Sequence, residues 1–119
     1  MAEKKTYSGG CHCGKVRYQV TSDLGMVLSC NCSICSKKGS LLTFVSDDQF
    51  QLTSGEDALK DYQFNKMVIH HLFCTSCGIG SFGRGVKPDG TKMVAINVRC
   101  LDDVDPSKLE VTHFDGRSK

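Results

Sequence analysis

Eight cysteines in 119 residues constrain this chain more than any other feature, because seven of them fall into three tight groups. The first is Cys11-His12-Cys13-Gly14 and the second Cys30-Asn31-Cys32-Ser33-Ile34-Cys35. The third is Cys74-Thr75-Ser76-Cys77-Gly78, and Cys100 stands alone. Such density means either a disulfide scaffold or metal ligation. Disulfide scaffolds belong to secreted domains. The N-terminus, Met1 to Tyr7, is polar and charged and has no apolar run of signal-peptide type. The expectation is therefore a reducing cytoplasmic setting in which the clusters bind metal.

Thiolates hold zinc at about 2.3 Å in a tetrahedron, so the ligand sulfurs must crowd together. A short turn closed by glycine supplies two of them, since glycine takes a left-handed backbone at no steric cost. The first and third clusters each end in glycine and each offer a pair. Two pairs complete one closed, structural four-thiolate site. The middle cluster offers three thiolates within six residues, enough for a second zinc with one coordination position open. Cys100, His12, His70, His71 or His113 are the alternatives that would instead close that second site. A zinc held by three thiolates is a weak Lewis acid but a good host for a further soft ligand such as a thiol, which it would deprotonate and orient.

The rest of the chain reads as one domain, residues 1–119, mainly β with little helix and with antiparallel sheets. Charged residues make up 24% and hydrophobic residues 39%, a proportion that supports an ordinary core. Val16, Tyr18 and Val20 alternate with polar neighbours, as a half-buried strand does. Further strands are expected at Met26–Leu28, Leu41–Val45, Phe50–Leu52, Leu59–Phe64, Met67–Phe73, Ser81–Gly85, Met93–Val98 and Val111–Phe114. Pro88-Asp89-Gly90 marks a turn that makes Ser81–Gly85 and Met93–Val98 neighbours. One short helix is expected from Ile34 to Lys38. His70 and His71, on a strand, would point to opposite faces. The net charge of +2 and the scattered basic residues exclude a nucleic-acid footprint, and no segment has the roughly 20 apolar residues of a membrane span.

In their order and spacing the three clusters resemble the glutathione-dependent formaldehyde-activating enzymes, a family that includes centromere protein V. Val94-Ala95-Ile96-Asn97-Val98-Arg99-Cys100-Leu101-Asp102 and Phe114-Asp115-Gly116-Arg117 extend the resemblance from about Tyr7 to Arg117. It implies a zinc-anchored β fold shared with a small Rab accessory factor. It implies a structural zinc on Cys11, Cys13, Cys74 and Cys77, and a catalytic zinc on Cys30, Cys32 and Cys35. The implied activity is that of a carbon–sulfur lyase forming S-(hydroxymethyl)glutathione from glutathione and formaldehyde. Arg99, which shares a strand face with Asn97 if that strand is regular, is the favoured candidate for meeting a glutathione carboxylate; Lys37 or Lys38 are the other candidates and are read as surface charge. The alternative is a non-catalytic zinc-stabilised thiol carrier or interaction module. Fold and metal carry over within a broad family more readily than the specific reaction.

Overall fold

The computed structural model describes residues 4–31, 33–63 and 69–114. Cys32, the end of the Leu59–Phe64 segment, the Met67–Val68 start of another, and the closing Asp115-Gly116-Arg117 lie outside the described residues.

Two sheets make the framework. Strands β1 (Lys5–Gly10), β2 (Arg17–Ser22) and β5 (Phe50–Ser54) form a three-stranded antiparallel sheet with β2 in the centre. The larger sheet has seven strands, ordered β10-β3-β4-β9-β8-β7-β6. These are β3 (Val27–Cys30), β4 (Leu42–Ser46), β6 (Leu59–Tyr62), β7 (His70–Cys74), β8 (Phe82–Val86), β9 (Lys92–Asn97) and β10 (Val111–Phe114). The single α-helix among the described residues, α1 (Cys35–Lys38), is one turn long.

The core follows from period-two patterning. On β2, Tyr18 and Val20 are buried and Gln19 between them is exposed. They pack with Val94 and Ile96 of β9 and Phe82 of β8 in one buried cluster. Tyr18, Phe50 and Phe82 form an aromatic trio with centroids 4.7 to 5.6 Å apart, and the Tyr18 hydroxyl donates to the Ser81 carbonyl at 3.0 Å. That bond removes the penalty of burying a phenol, and it ties the two sheets beside the third cysteine cluster.

The mainly β expectation holds, and the turn at Pro88 joins β8 and β9 as an antiparallel hairpin. Three details differ. The pairing of β10 with β3 is parallel, so the large sheet is mixed. Strand β1 carries no apolar alternation; its Gly9 and Gly10 are buried, and a Cβ on Gly9 would stand 2.8 Å from the Cys100 carbonyl oxygen. Pairing with β2 along its whole length makes it a strand, which is tertiary context overriding propensity. Finally, the last strand of the core ends at Asn97, and Val98–Cys100 is a tight helical turn. The Asn97 side-chain oxygen caps that turn by accepting from the Arg99 backbone N–H at 3.2 Å.

Candidate functional site

Cys11 follows the last residue of β1, and Cys13 lies in the turn leading to β2. Cys74 ends β7, and Cys77 lies in the turn towards β8. Each turn is a closed knuckle. The Cys11 N–H donates to the Val16 carbonyl at 3.1 Å, and the Val16 N–H reaches back to the Cys11 sulfur at 3.4 Å. In the second knuckle the Cys74 N–H donates to the Ile79 carbonyl at 3.1 Å and the Ser76 N–H to the Cys74 sulfur at 3.4 Å. Gly14 and Gly78 close the knuckles at φ values of 85° and 80°, the left-handed region glycine enters without strain.

The four sulfurs lie within 4.8 Å of one another. Cys11 and Cys13 are 3.6 Å apart at Sγ, and so are Cys13 and Cys74. A disulfide needs about 2.05 Å. A tetrahedron with zinc–sulfur bonds of about 2.3 Å has edges of about 3.8 Å. The cluster therefore has the dimensions of a metal site, and these four residues could hold an ion such as zinc. Crowded thiols cannot all ionise without a cation. Cys77 is drawn down to about 6, chiefly by the Ile79 N–H. For Cys13 the Lys15 N–H acts downward, yet desolvation and the neighbouring sulfurs together push it up to about 11. A divalent cation would remove that conflict by stabilising every thiolate at once.

The middle cluster lies elsewhere. Cys30 ends β3 and Cys35 opens α1. Both line a cavity of about 340 Å³. Its walls are mostly apolar, with Phe44, Ile69, Phe82 and Phe114 prominent. Lys38 and His71 also line it, and no carboxylate does among the described residues. Lys38 reaches across from α1, so that a Cβ on Gly80 would meet its ammonium at 2.9 Å. Burial holds the His71 imidazole below its ordinary value, and the Lys38 charge adds to the effect. His71 is thus neutral near pH 7 and able to exchange a proton.

The neighbouring histidine faces the other way, as strand geometry requires. His70 pairs through Nδ1 with the Asp61 carboxylate and lines a separate, more polar cavity with Arg84 and Glu56. Arg84 in turn pairs with Asp47 at 2.9 Å and lies over the Phe50 and Phe82 rings.

Cys100 neighbours Cys11 and Cys77 electrostatically, and burial pushes its thiol up to about 11. It belongs to the surroundings of the four-cysteine cluster without being one of the four. His12 is exposed. Arg99 is exposed on its helical turn and is not among the residues lining the cavity. The expectation that it shares a strand face with Asn97 fails because the strand has already ended. Of the three basic residues weighed as carboxylate partners, the sequence favoured Arg99, whereas Lys38 is the one that lines the cavity; the signal was its place three residues after Cys35, one helical turn on.

No helix among the described residues is long and apolar enough to cross a membrane. Among solved structures, a crystal structure of a Rhodobacter sphaeroides protein superposes with a TM-score of 0.77 at 26% identity, covering 88% of this chain and 99% of that one. The family model described as glutathione-dependent formaldehyde-activating enzyme matches residues 6–115. Matched over nearly its whole length, the chain belongs to the glutathione-dependent formaldehyde-activating enzyme family.

Proposed function

We propose that this protein is a zinc-dependent carbon–sulfur lyase-like enzyme acting on a glutathione adduct such as S-(hydroxymethyl)glutathione. Cys11, Cys13, Cys74 and Cys77 would hold a structural zinc, and Cys30, Cys32 and Cys35 a catalytic one. The observation that carries the reading is that Cys30 and Cys35, from two different elements, line one cavity with a cation and a neutral histidine. Bound there by three thiolates, zinc supplies a soft acceptor that lowers the pKa of an incoming thiol.

The chain's own residues do the remaining work. Cys30 and Cys35 fix the reacting end of the cavity. Lys38 meets an anionic group of the thiol substrate, and its charge also favours thiolate over thiol. The apolar walls exclude water from the adduct, which strengthens the Lys38 interaction. His71, neutral at the start, takes the proton released by the incoming thiol and passes it to the alkoxide formed when the thiolate adds to the aldehyde, and the reverse direction retraces the two transfers. Arg99 is retained as a carboxylate partner for glutathione outside the cavity lining.

The test is the rate of S-(hydroxymethyl)glutathione formation above the spontaneous reaction, with Cys30→Ser as the control variant. Acceleration lost in that variant supports the enzyme. Absence of acceleration at any pH near neutrality, with glutathione still perturbing the zinc X-ray absorption edge, identifies a thiol carrier instead.

A further inference from the structure

The cavity beside Cys30 and Cys35 is too large and too apolar for a one-carbon aldehyde. A water takes up about 30 Å³ of liquid, so formaldehyde, with two heavy atoms, would occupy about 60 Å³. The cavity is about 340 Å³. A glutathione peptide is a poor filler for the remainder. It carries two carboxylates and an ammonium, and the described lining offers one lysine and no carboxylate. Asn97, the lining amide, is already committed: its Nδ2 donates to the Gly80 carbonyl at 3.3 Å and its oxygen accepts from Arg99.

What the walls do match is hydrocarbon. Phe44, Ile69 and Phe114 line the cavity while remaining 48%, 55% and 43% exposed. Large apolar side chains left this open around a concave site, with one cation beside them, fit a ligand of apolar body and single negative charge near its reacting end.

We infer that the cavity receives the apolar substituent of a thiol adduct, so that the preferred carbonyl partner is a medium-chain or aromatic aldehyde. The sulfur end lies towards Cys30 and Cys35, one carboxylate lies towards Lys38, and the hydrocarbon lies against Phe44, Phe82 and Phe114. This rests on the thiol-adduct reading above and names its substrate class. The reaction balances without an oxidant. The thiol sulfur bonds to the carbonyl carbon, the π pair moves to oxygen, and the thiol proton ends on that oxygen as a hydroxyl. The reverse step returns thiol and aldehyde.

The test is calorimetric titration of the zinc-loaded protein with S-methyl-, S-butyl- and S-hexylglutathione. Full burial of a methylene is worth about 0.8 kcal/mol, or about four-fold in affinity. Half-burial gives about two-fold per methylene, so S-hexylglutathione should bind about 30-fold tighter than S-methylglutathione. Phe44→Ser and Phe114→Ser, at half-exposed positions, should each weaken the hexyl ligand several-fold more than the methyl ligand. Equal affinities along the series, or no binding of any member, overturn the inference. The thiol-adduct reading is judged separately, by the response of the zinc absorption edge to glutathione itself. A flat series with a responding edge removes only the apolar substrate class. A steep series with a silent edge leaves the apolar site and removes the zinc–thiol chemistry.

Discussion

Cys13 and Cys74 stand 61 residues apart in sequence, and their sulfurs lie 3.6 Å apart. One belongs to the turn after β1, in the small sheet, and the other to the end of β7, in the large one. The four-sulfur cluster is therefore a clasp between the two sheets. It joins the sheets in addition to the shared core cluster, the aromatic trio and the Tyr18–Ser81 hydrogen bond.

Cys74→Ser should abolish metal binding at the clasp and unfold the domain. Structural zinc sites contribute on the order of 10 kcal/mol to folding, as much as a whole domain's net stability. Zinc content by mass spectrometry and far-ultraviolet circular dichroism should fall together. A folded, zinc-depleted variant would contradict the clasp.

Cys100→Ala should leave the zinc content unchanged, since Cys100 lies outside the set of four. Its thiol is raised to about 11 by burial, so the folded state favours the neutral form. That stability is fully present below the ordinary thiol value of about 9 and is lost as pH rises towards 11. The variant should therefore show a shallower fall of Tm between pH 9 and 11 than the parent.

Lys38→Met should raise the pKa of His71, because the Lys38 ammonium is one of the causes holding the imidazole low. Nuclear magnetic resonance titration of His71 reads this directly. Removing the charge should also weaken thiol-carboxylate ligands by up to about five-fold, since a solvent-accessible ion pair is worth up to about 1 kcal/mol. In the parent, His71 favours its neutral form in the fold, and its contribution to stability is fully present above pH 6.5 and is lost as pH falls below 6.5 through its lowered value in the fold.

Gly78→Ala and Gly10→Ala separate conformational strain from collision. At Gly78 a Cβ would meet nothing within 4 Å, yet φ is 80°. The expected cost is about 1–2 kcal/mol, the left-handed penalty alone. At Gly10 a Cβ would sit 2.0 Å from the Val16 carbonyl oxygen. That backbone contact cannot be relieved by a rotamer, and the variant should fail to pair β1 with β2. Denaturant melts of both variants give the comparison.

Tyr18→Phe should cost about 0.5–1.5 kcal/mol, the net value of one hydrogen bond, because the Ser81 carbonyl still accepts from the Asn97 backbone N–H at 3.0 Å and no cavity forms. The shift in denaturant midpoint measures it.

Sequence alone determined what is local. The grouping of cysteines, the glycines that close Cys11–Cys13 and Cys74–Cys77, the alternation at Tyr18 and Val20, and the Pro88 turn each rest on residues a few positions apart. Their geometry is fixed by backbone sterics and side-chain chemistry wherever they occur. The tertiary structure decided what meets what. It made a strand of Lys5–Gly10, which has no strand pattern, by pairing it with β2. It laid β10 parallel to β3, ended a strand at Asn97 and so left Arg99 off the cavity lining. It also brought Lys38 across to Gly80. Those outcomes depend on register between remote strands, where many pairings satisfy the same local pattern and only the packing of the assembled core selects one.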